Sequence, residues 1–148
     1  MNALSLYSDG EIFAVDVALV QKVVRQMVWT RVPAAPDAVV GLANLKGGIV
    51  TLLSLSELLG RSRSAQAVHA IIFEPFTDGY GQMGLLVDHP SGLVTIDEAE
   101  VIPPPPTADE KDEPIISGLS ELGGTLYRII DVDSAGKGAD QRPSRGCG

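Results

Sequence analysis

Cysteine is almost absent from this 148-residue chain; Cys147, in a Gly-Cys-Gly tail, stands alone. Without a partner it cannot close an internal disulfide, and the expected setting is the cytoplasm rather than an oxidising compartment. Basic residues are in short supply. Eleven Lys and Arg face 19 Asp and Glu, for a net charge of -8. A nucleic-acid binder needs a basic footprint to engage phosphates, and this balance points the other way. Long apolar runs are missing, so no segment predicts a membrane span. The opening MNALSLYSDGE has neither the basic nor the apolar region of a signal peptide. Aromatic residues make up only 5%, which leaves the core to Val, Leu, Ile and Ala. No catalytic constellation is present. The two histidines, His69 and His89, lack metal-site spacing, and there is neither a G-x-S-x-G elbow nor a G-x-x-x-x-G-K-[ST] phosphate loop. His69, within AVHAIIF, reads as a satisfied imidazole in a strand, and His89, before Pro90, as a loop residue.

What is present indicates a folded protein built from short strands. Hydrophobic residues reach 45% and charged residues 20%, with 16 Gly and 10 Pro. The length suits one domain or two small barrels sharing a core. Residues 36–60, PDAVVGLANLKGGIVTLLSLSELLG, organise the rest. Pro36 suits the first position of a short helix and Gly41 the position just beyond its end. Residues 42–45 form a brief strand, Lys46-Gly47-Gly48 a turn, and residues 49–55 a return strand. Ser54 or Ser56 caps a last short helix with Leu55, Leu58 and Leu59 on one face, stopped by Gly60.

Around this stretch the strand pattern repeats. Residues 3–8 and 11–17 flank Asp9-Gly10, a strong hairpin signal. Residues 17–29 fit a helical stripe (Val17, Val20, Val24, Met27), yet their valine density favours a strand. Strands are expected at 67–73, 82–88 and 94–96, with a turn at 76–81 and an acidic bend at 97–100. Four prolines at 103–106 give a polyproline-II connector, followed by a charged 107–113 segment. A closing hairpin spans 114–132 across Gly123-Gly124. Asp16, Asp88 and Asp131 end or interrupt strands; a carboxylate cluster is conceivable, but bonding to turn amides is the commoner role.

The 36–60 stretch resembles the signature of the CheW family of chemotaxis coupling proteins, a V-x-G-x-x-N-L-R-G-x-I-V-P run leading into a short helix. Val40, Gly41, Asn44, Leu45, Lys46, Gly47, Ile49, Val50, Leu55 and Gly60 carry the match. Lys46, Thr51 and Ser54 replace the usual arginine, proline and aspartate. Gly10, Phe13, Ala14, Val15, Asp16, Val17, Val20, Val23, Thr30, Arg31 and Pro33 align without a gap on the family's opening segment, and Lys22 replaces its usual glutamate. There the family has a brief helical turn at 16–20 and then a strand. Further matches are Gly84, Leu85, Val87 and Asp88, then Ile116, Gly118, Leu119, Leu126, Ile129, Ile130, Asp131 and Val132. The final helix common in the family looks missing.

The resemblance implies an all-β fold of two intertwined five-stranded β-barrels, SH3- or OB-like, with short helices. The CheW-like domain occupies 1–134 and a disordered tail 135–148. The implied function is that of a non-catalytic adaptor without cofactor or metal. It would couple the regulatory domain of a CheA-type histidine kinase to the cytoplasmic tips of chemoreceptors, with other CheW-like proteins as further partners. It would be cytoplasmic, recruited to membrane receptor arrays without inserting into the membrane. Carried over by position, the receptor-facing residues are Val20, Leu45 and Lys46, with Val40 and Asn44 supporting the hairpin. A variant reading is a divergent adaptor that binds receptors but couples poorly to the kinase. A distant alternative is a small barrel binding nucleic acid, with Trp29, Arg25 and Arg31 as its local hint.

Overall fold

The computed structural model describes residues 1–63, 65–75, 81–103 and 115–135. Most of the proline-rich and charged connector, most of the 76–81 turn and the tail beyond 135 lie outside these residues. Three two-residue hairpins fix the local order. They join β1 (Asn2–Ser8) to β2 (Glu11–Asp16), β4 (Val39–Leu45) to β5 (Gly48–Ser54), and β9 (Ile116–Leu122) to β10 (Thr125–Ile130). In each turn both central residues have positive φ: Asp9 and Gly10 at 56° and 77°, Lys46 and Gly47 at 50° and 85°, Gly123 and Gly124 at 56° and 84°. Such turns match the right-handed twist of the paired strands, which is why Asp-Gly, Lys-Gly and Gly-Gly stand there. Gly48, expected in the turn, is the first residue of β5.

The other strands are β3 (Val20–Val24), β6 (His69–Phe73), β7 (Gln82–Val87) and β8 (His89–Thr95). They form two five-stranded sheets, ordered β8-β1-β2-β10-β9 and β3-β6-β7-β5-β4. The first sheet draws on both ends of the chain and the second on its contiguous middle. The intertwining is thus an insertion of one sheet into the other's sequence. Parallel pairings of β2 with β10 and of β5 with β7 tie distant segments together.

Each sheet also curls back on itself through one bridge. The chain leaving β3 returns to the β4 edge, where Thr30 and Leu42 exchange two backbone hydrogen bonds of 2.8 Å. The chain leaving β8 returns to β9, where Ile102 and Leu119 do the same at 2.9 and 2.8 Å. A glycine stands beside each bridge. A Cβ on Gly41 would lie 2.3 Å from the Thr30 carbonyl oxygen, and one on Gly118 would lie 2.5 Å from Val101 Cγ1. Close approach of two strands, not a turn, explains both residues.

Several expectations change accordingly. Residues 37–38 form a turn and Val39 and Val40 already belong to β4, so no helix forms there, and Gly41 lies inside β4 rather than at a helix end. The segment is pulled into the sheet by its pairing with β5, and the glycine's small size matters more than its conformational freedom. His89 opens β8 and pairs with Tyr7, so it is not a loop residue. Pro90 is compatible with that strand because β8 is an edge, where a missing N–H leaves no neighbour unpaired. The strand expected at 94–96 accordingly begins earlier, and Ile96 falls just beyond it. Residues 132–135 turn helical, with the Ala135 amide donating to Asp131 O at 3.0 Å, and Ala135 is fully buried. The final helix therefore begins where it was expected to be absent, and the folded region includes the first residue assigned to the tail.

The largest apolar cluster lies between the sheets: Leu6, Phe13 and Val15 from the first meet Leu53, Ile71, Phe73, Leu85 and Val87 from the second. α1 (Leu55–Leu58) adds Leu55 and Leu58, with Leu59 beside it. Smaller clusters belong to each sheet, around Val50, Leu52 and Ile72 in the second and Ala3, Ala14 and Ile129 in the first. Ser54 is the cap of α1, its Oγ accepting from the Glu57 amide at 3.2 Å, while Ser56 Oγ donates to Asp9 Oδ2 at 2.8 Å. No helix among the described residues is long and apolar enough to cross a membrane.

Candidate partner-binding end of the second sheet

The register of the second sheet determines which side chains share an end. β4 rises to Leu45, which pairs with Gly48 at the start of β5. Val50 pairs with Gln82, the first residue of β7. Across β6, Phe73 pairs with Val20, the first residue of β3. The start of β3 and the β4–β5 hairpin tip therefore lie at the same end, although β3 and β4 sit at opposite edges of the ladder. A short 3-10 turn (Val17–Leu19), capped by Asp16 Oδ1 accepting from the Ala18 amide at 3.0 Å, delivers the chain to Val20.

Four of the five residues expected to contact a partner lie at this end, Val20 on the β3 edge and Asn44, Leu45 and Lys46 on the β4–β5 hairpin at the other. Val20 is half-buried against the inter-sheet core. Leu45 is half-buried over the second sheet's own core. Lys46 is exposed at the tip, held at positive φ. Asn44 is exposed, and its Oδ1 accepts from the Gly47 amide at 3.2 Å, bracing the turn. Ile49, directly opposite Asn44 and on the same face of the hairpin, is 57% exposed. Val40 does not join them. It sits five residues before Leu45, about 17 Å away at strand rise, and packs on the second sheet's core.

Sequence reasoning missed Gln82. Its Nε2 donates to the Phe73 carbonyl at 2.9 Å and to Gln21 Oε1 at 2.8 Å, joining β7, β6 and β3 at this end. No motif marks it, because its role depends on a register set by distant pairings. A second unanticipated feature is an open groove of about 690 Å³ near the far end of β4, lined by Trp29, Arg31, Pro36, Val40, Glu57 and Arg63 among others. Arg63 lies over the Trp29 ring, 5.7 Å from its centroid. Burial and the neighbouring Asp37 carboxylate raise the Glu57 pKa, against the opposing pull of Arg63.

The aspartates and histidines have local roles. Asp16 and Asp131 accept from turn amides, and Asp88 Oδ2 accepts from the Asp9 amide at 3.1 Å, linking the β7–β8 bend to the first hairpin. They do not form a cluster, and no group of three or more metal-ligating residues occurs among the described residues. His69 is half-buried and Nδ1 accepts from the Gln26 amide at 3.0 Å, which places the proton of the neutral ring on Nε2. Its ring stacks on His89 at 6.1 Å, across the two sheets. Glu11 pairs with Arg128 at 3.2 Å and with Arg61, while Asp9 lies 3.6 Å from the Arg61 guanidinium.

Two five-stranded sheets around a shared apolar core, with an apolar and basic hairpin end, define a β-rich interaction module. The chain belongs to the CheW-like domain family, which matches residues 2–137. It is 27% identical to a chemotaxis protein CheW of Rhizobium meliloti over 82% of this chain and 78% of that one. It is 29% identical to a chemotaxis protein CheW of Thermotoga maritima over 89% and 85%. Its fold is similar to the crystal structure of the scaffolding protein TtCheW from Thermoanaerobacter tengcongensis, with a TM-score of 0.77, 25% identity and 88% of each chain covered. Membership makes the chain a scaffold-type chemotaxis protein and not an enzyme. Two departures from the family pattern are structurally mild. Ser54 caps α1 in place of the usual aspartate, and Thr51 lies within β5 between β4 and β7, with the backbone N–H that proline lacks.

Proposed function

We propose that this chain is an adaptor coupling a CheA-type histidine kinase to the cytoplasmic tips of chemoreceptors. It works in the cytoplasm and is recruited to receptor arrays by these contacts. The observation that supports this reading best is the register that gathers Val20, Asn44, Leu45 and Lys46 at one end of the second sheet. A receptor's helical hairpin would lie there in a helix-in-groove mode, its apolar stripe on Val20 and Ile49, with Leu45 supporting the β4–β5 hairpin from the opposite face. Lys46 supplies the positive charge of the family's usual arginine but not its planar fork, so receptor binding should be weaker or differently selective than with arginine. Kinase and other CheW-like partners would use the remaining surface of the two sheets.

The test is a pull-down with a receptor cytoplasmic fragment and a kinase regulatory domain, separately and together. Binding to both is expected, with Lys46→Glu losing the receptor and keeping the kinase. Normal receptor binding by Lys46→Glu would remove the hairpin from the interface. The reading of a poorly coupling adaptor is separated by a kinase-activation assay with receptors present. Full activation is expected, because Ser54 keeps its capping role and the chain turns helical after β10. Nucleic-acid binding would show as retention on a filter at low salt; the -8 net charge argues against it.

A further inference from the structure

The polar side chains at the hairpin end of the second sheet are locked in one orientation. A main-chain carbonyl can only accept, so the Gln82 group facing Phe73 O must be the NH₂. The same NH₂ donates to Gln21, whose inward atom must therefore be its oxygen. That leaves the Gln21 NH₂ directed away from the bond. On the hairpin the Gly47 amide can only donate, so Asn44 turns its oxygen inward and its NH₂ outward. Lys46 carries donors alone. Gln21, Asn44 and Lys46 are all exposed. Internal bonding thus leaves Gln21, Asn44 and Lys46 with donors turned outward at this end, beside the acceptor Gln82 Oε1, in a chain whose net charge is -8. Glu74, exposed just after β6, is the carboxylate that borders the same row, and its main-chain amide bonds to Leu19 O at 2.8 Å.

We infer that this end selects an α-helical partner whose apolar stripe is flanked by acceptor side chains, Glu, Gln or Asp, and discriminates against one flanked by Lys or Arg. The inference rests on the proposal that a receptor-type helical hairpin docks here, and it adds the chemistry of that partner. The apolar anchors Val20 and Ile49 supply area without polarity. The choice of partner falls to the groups around them, because a donor buried against another donor loses its water and gains nothing.

Isosteric variants test this without disturbing the fold. Gln21→Glu still accepts from Gln82, and Asn44→Asp still accepts from Gly47, yet each replaces an outward NH₂ with a carboxylate oxygen. The full-length protein is titrated with a receptor cytoplasmic hairpin fragment, and with the same fragment after the acceptor side chains flanking its stripe are exchanged for Lys. The wild-type protein should bind the first at least about tenfold more tightly than the second. The Gln21→Glu/Asn44→Asp protein should reverse that order with an unchanged melting temperature. An Asn2→Asp control, exposed on the first sheet, should leave it alone. Equal binding of both fragments by the wild type, or an unchanged preference in the double variant, overturns the inference. If the wild type binds the receptor fragment and Lys46→Glu abolishes it while the double variant behaves as wild type, only the donor-surface inference fails. If the wild type binds neither fragment, the docking proposal fails with it.

Discussion

Replacing Gly41 with alanine should open the second sheet at its seam. The added Cβ would stand 2.3 Å from the Thr30 carbonyl oxygen, 2.9 Å from the Thr30 carbonyl carbon and 2.8 Å from Trp29 Cδ1. Two of those atoms are backbone, so no rotamer change relieves the contact. The Thr30 strand must move away from β4, and the two 2.8 Å bonds between Thr30 and Leu42 go with it. Two backbone hydrogen bonds contribute about 1 kcal/mol each. Overpacking adds about 1–3 kcal/mol. The sum, about 3–5 kcal/mol, is a large share of a typical domain's stability of about 5–15 kcal/mol. For a chain of this size each kcal/mol is worth roughly 2–4 °C, so the melting temperature should fall by about 6–20 °C. Thermal unfolding followed by circular dichroism reads this directly, and hydrogen exchange should show the Thr30 and Leu42 amides losing protection first. Gly48→Ala is the matched control: its nearest neighbour is the Leu45 carbonyl oxygen at 3.6 Å, an ordinary contact. It should melt within a degree or two of wild type. If Gly41→Ala did the same, the seam would not depend on the missing side chain, and the account of both bridging glycines would be wrong.

Two other changes test the surroundings of α1. Ser54→Ala removes the cap that accepts from the Glu57 amide and should cost about 1 kcal/mol, whereas Ser54→Asp, the family's usual residue, should restore wild-type stability; urea denaturation compares them. Glu57 has a pKa raised above its ordinary value of 4.5, first by burial and then by Asp37. A carboxyl of this kind holds its proton more tightly when folded, so its contribution is fully present below the ordinary glutamate pKa and lost as pH rises through the raised value. Glu57→Gln should therefore be the more stable protein at pH 7, with the gap closing towards pH 4; a gap that widened on acidification would reverse the assigned sign.

The turns were legible in the sequence because their physics is local. Asp9-Gly10, Lys46-Gly47 and Gly123-Gly124 announce positive φ wherever the chain goes. A serine cap at 54 or 56 and the buried stripe of Leu55, Leu58 and Leu59 were legible for the same reason, while the choice of Ser54 was not, because Ser56 is drawn to Asp9 by a hairpin distant in sequence. Gly41 misled because a local rule offers a helix end for a glycine whose cause is Thr30, brought beside it by chain reversal. His89 misled in the opposite sense: a following proline suggests a loop, yet at a sheet edge proline costs the ladder nothing. Val20 and Lys46 were singled out by family resemblance, but their shared position depends on a register passing through β5, β7 and β6. Two of those pairings are non-local and one is parallel. Gln82 was invisible for the same reason, since a glutamine at a strand start has no pattern until the neighbouring strands are in place.

The two sheets use one closure device, and this bears on how the candidate interface is held. In each, an edge strand is met by a returning segment through a single antiparallel bridge, and a glycine next to the paired residue makes room. In the first sheet the returning segment carries Val101 against Gly118, so the seam is partly a side-chain contact that can adjust. In the second, the Thr30 backbone lies over Gly41, and backbone has little room to yield. The stiffer seam belongs to the sheet that carries the hairpin. β4 supplies half of that hairpin and is an edge strand, and an edge held on one side alone would be free to twist and carry Lys46 with it. Pinned by β5 on one side and by Thr30 on the other, β4 can present a tip whose donors keep a fixed direction. A binding surface made of three or four side chains requires that fixity, because without it the ordering would have to be supplied by the partner at the moment of binding.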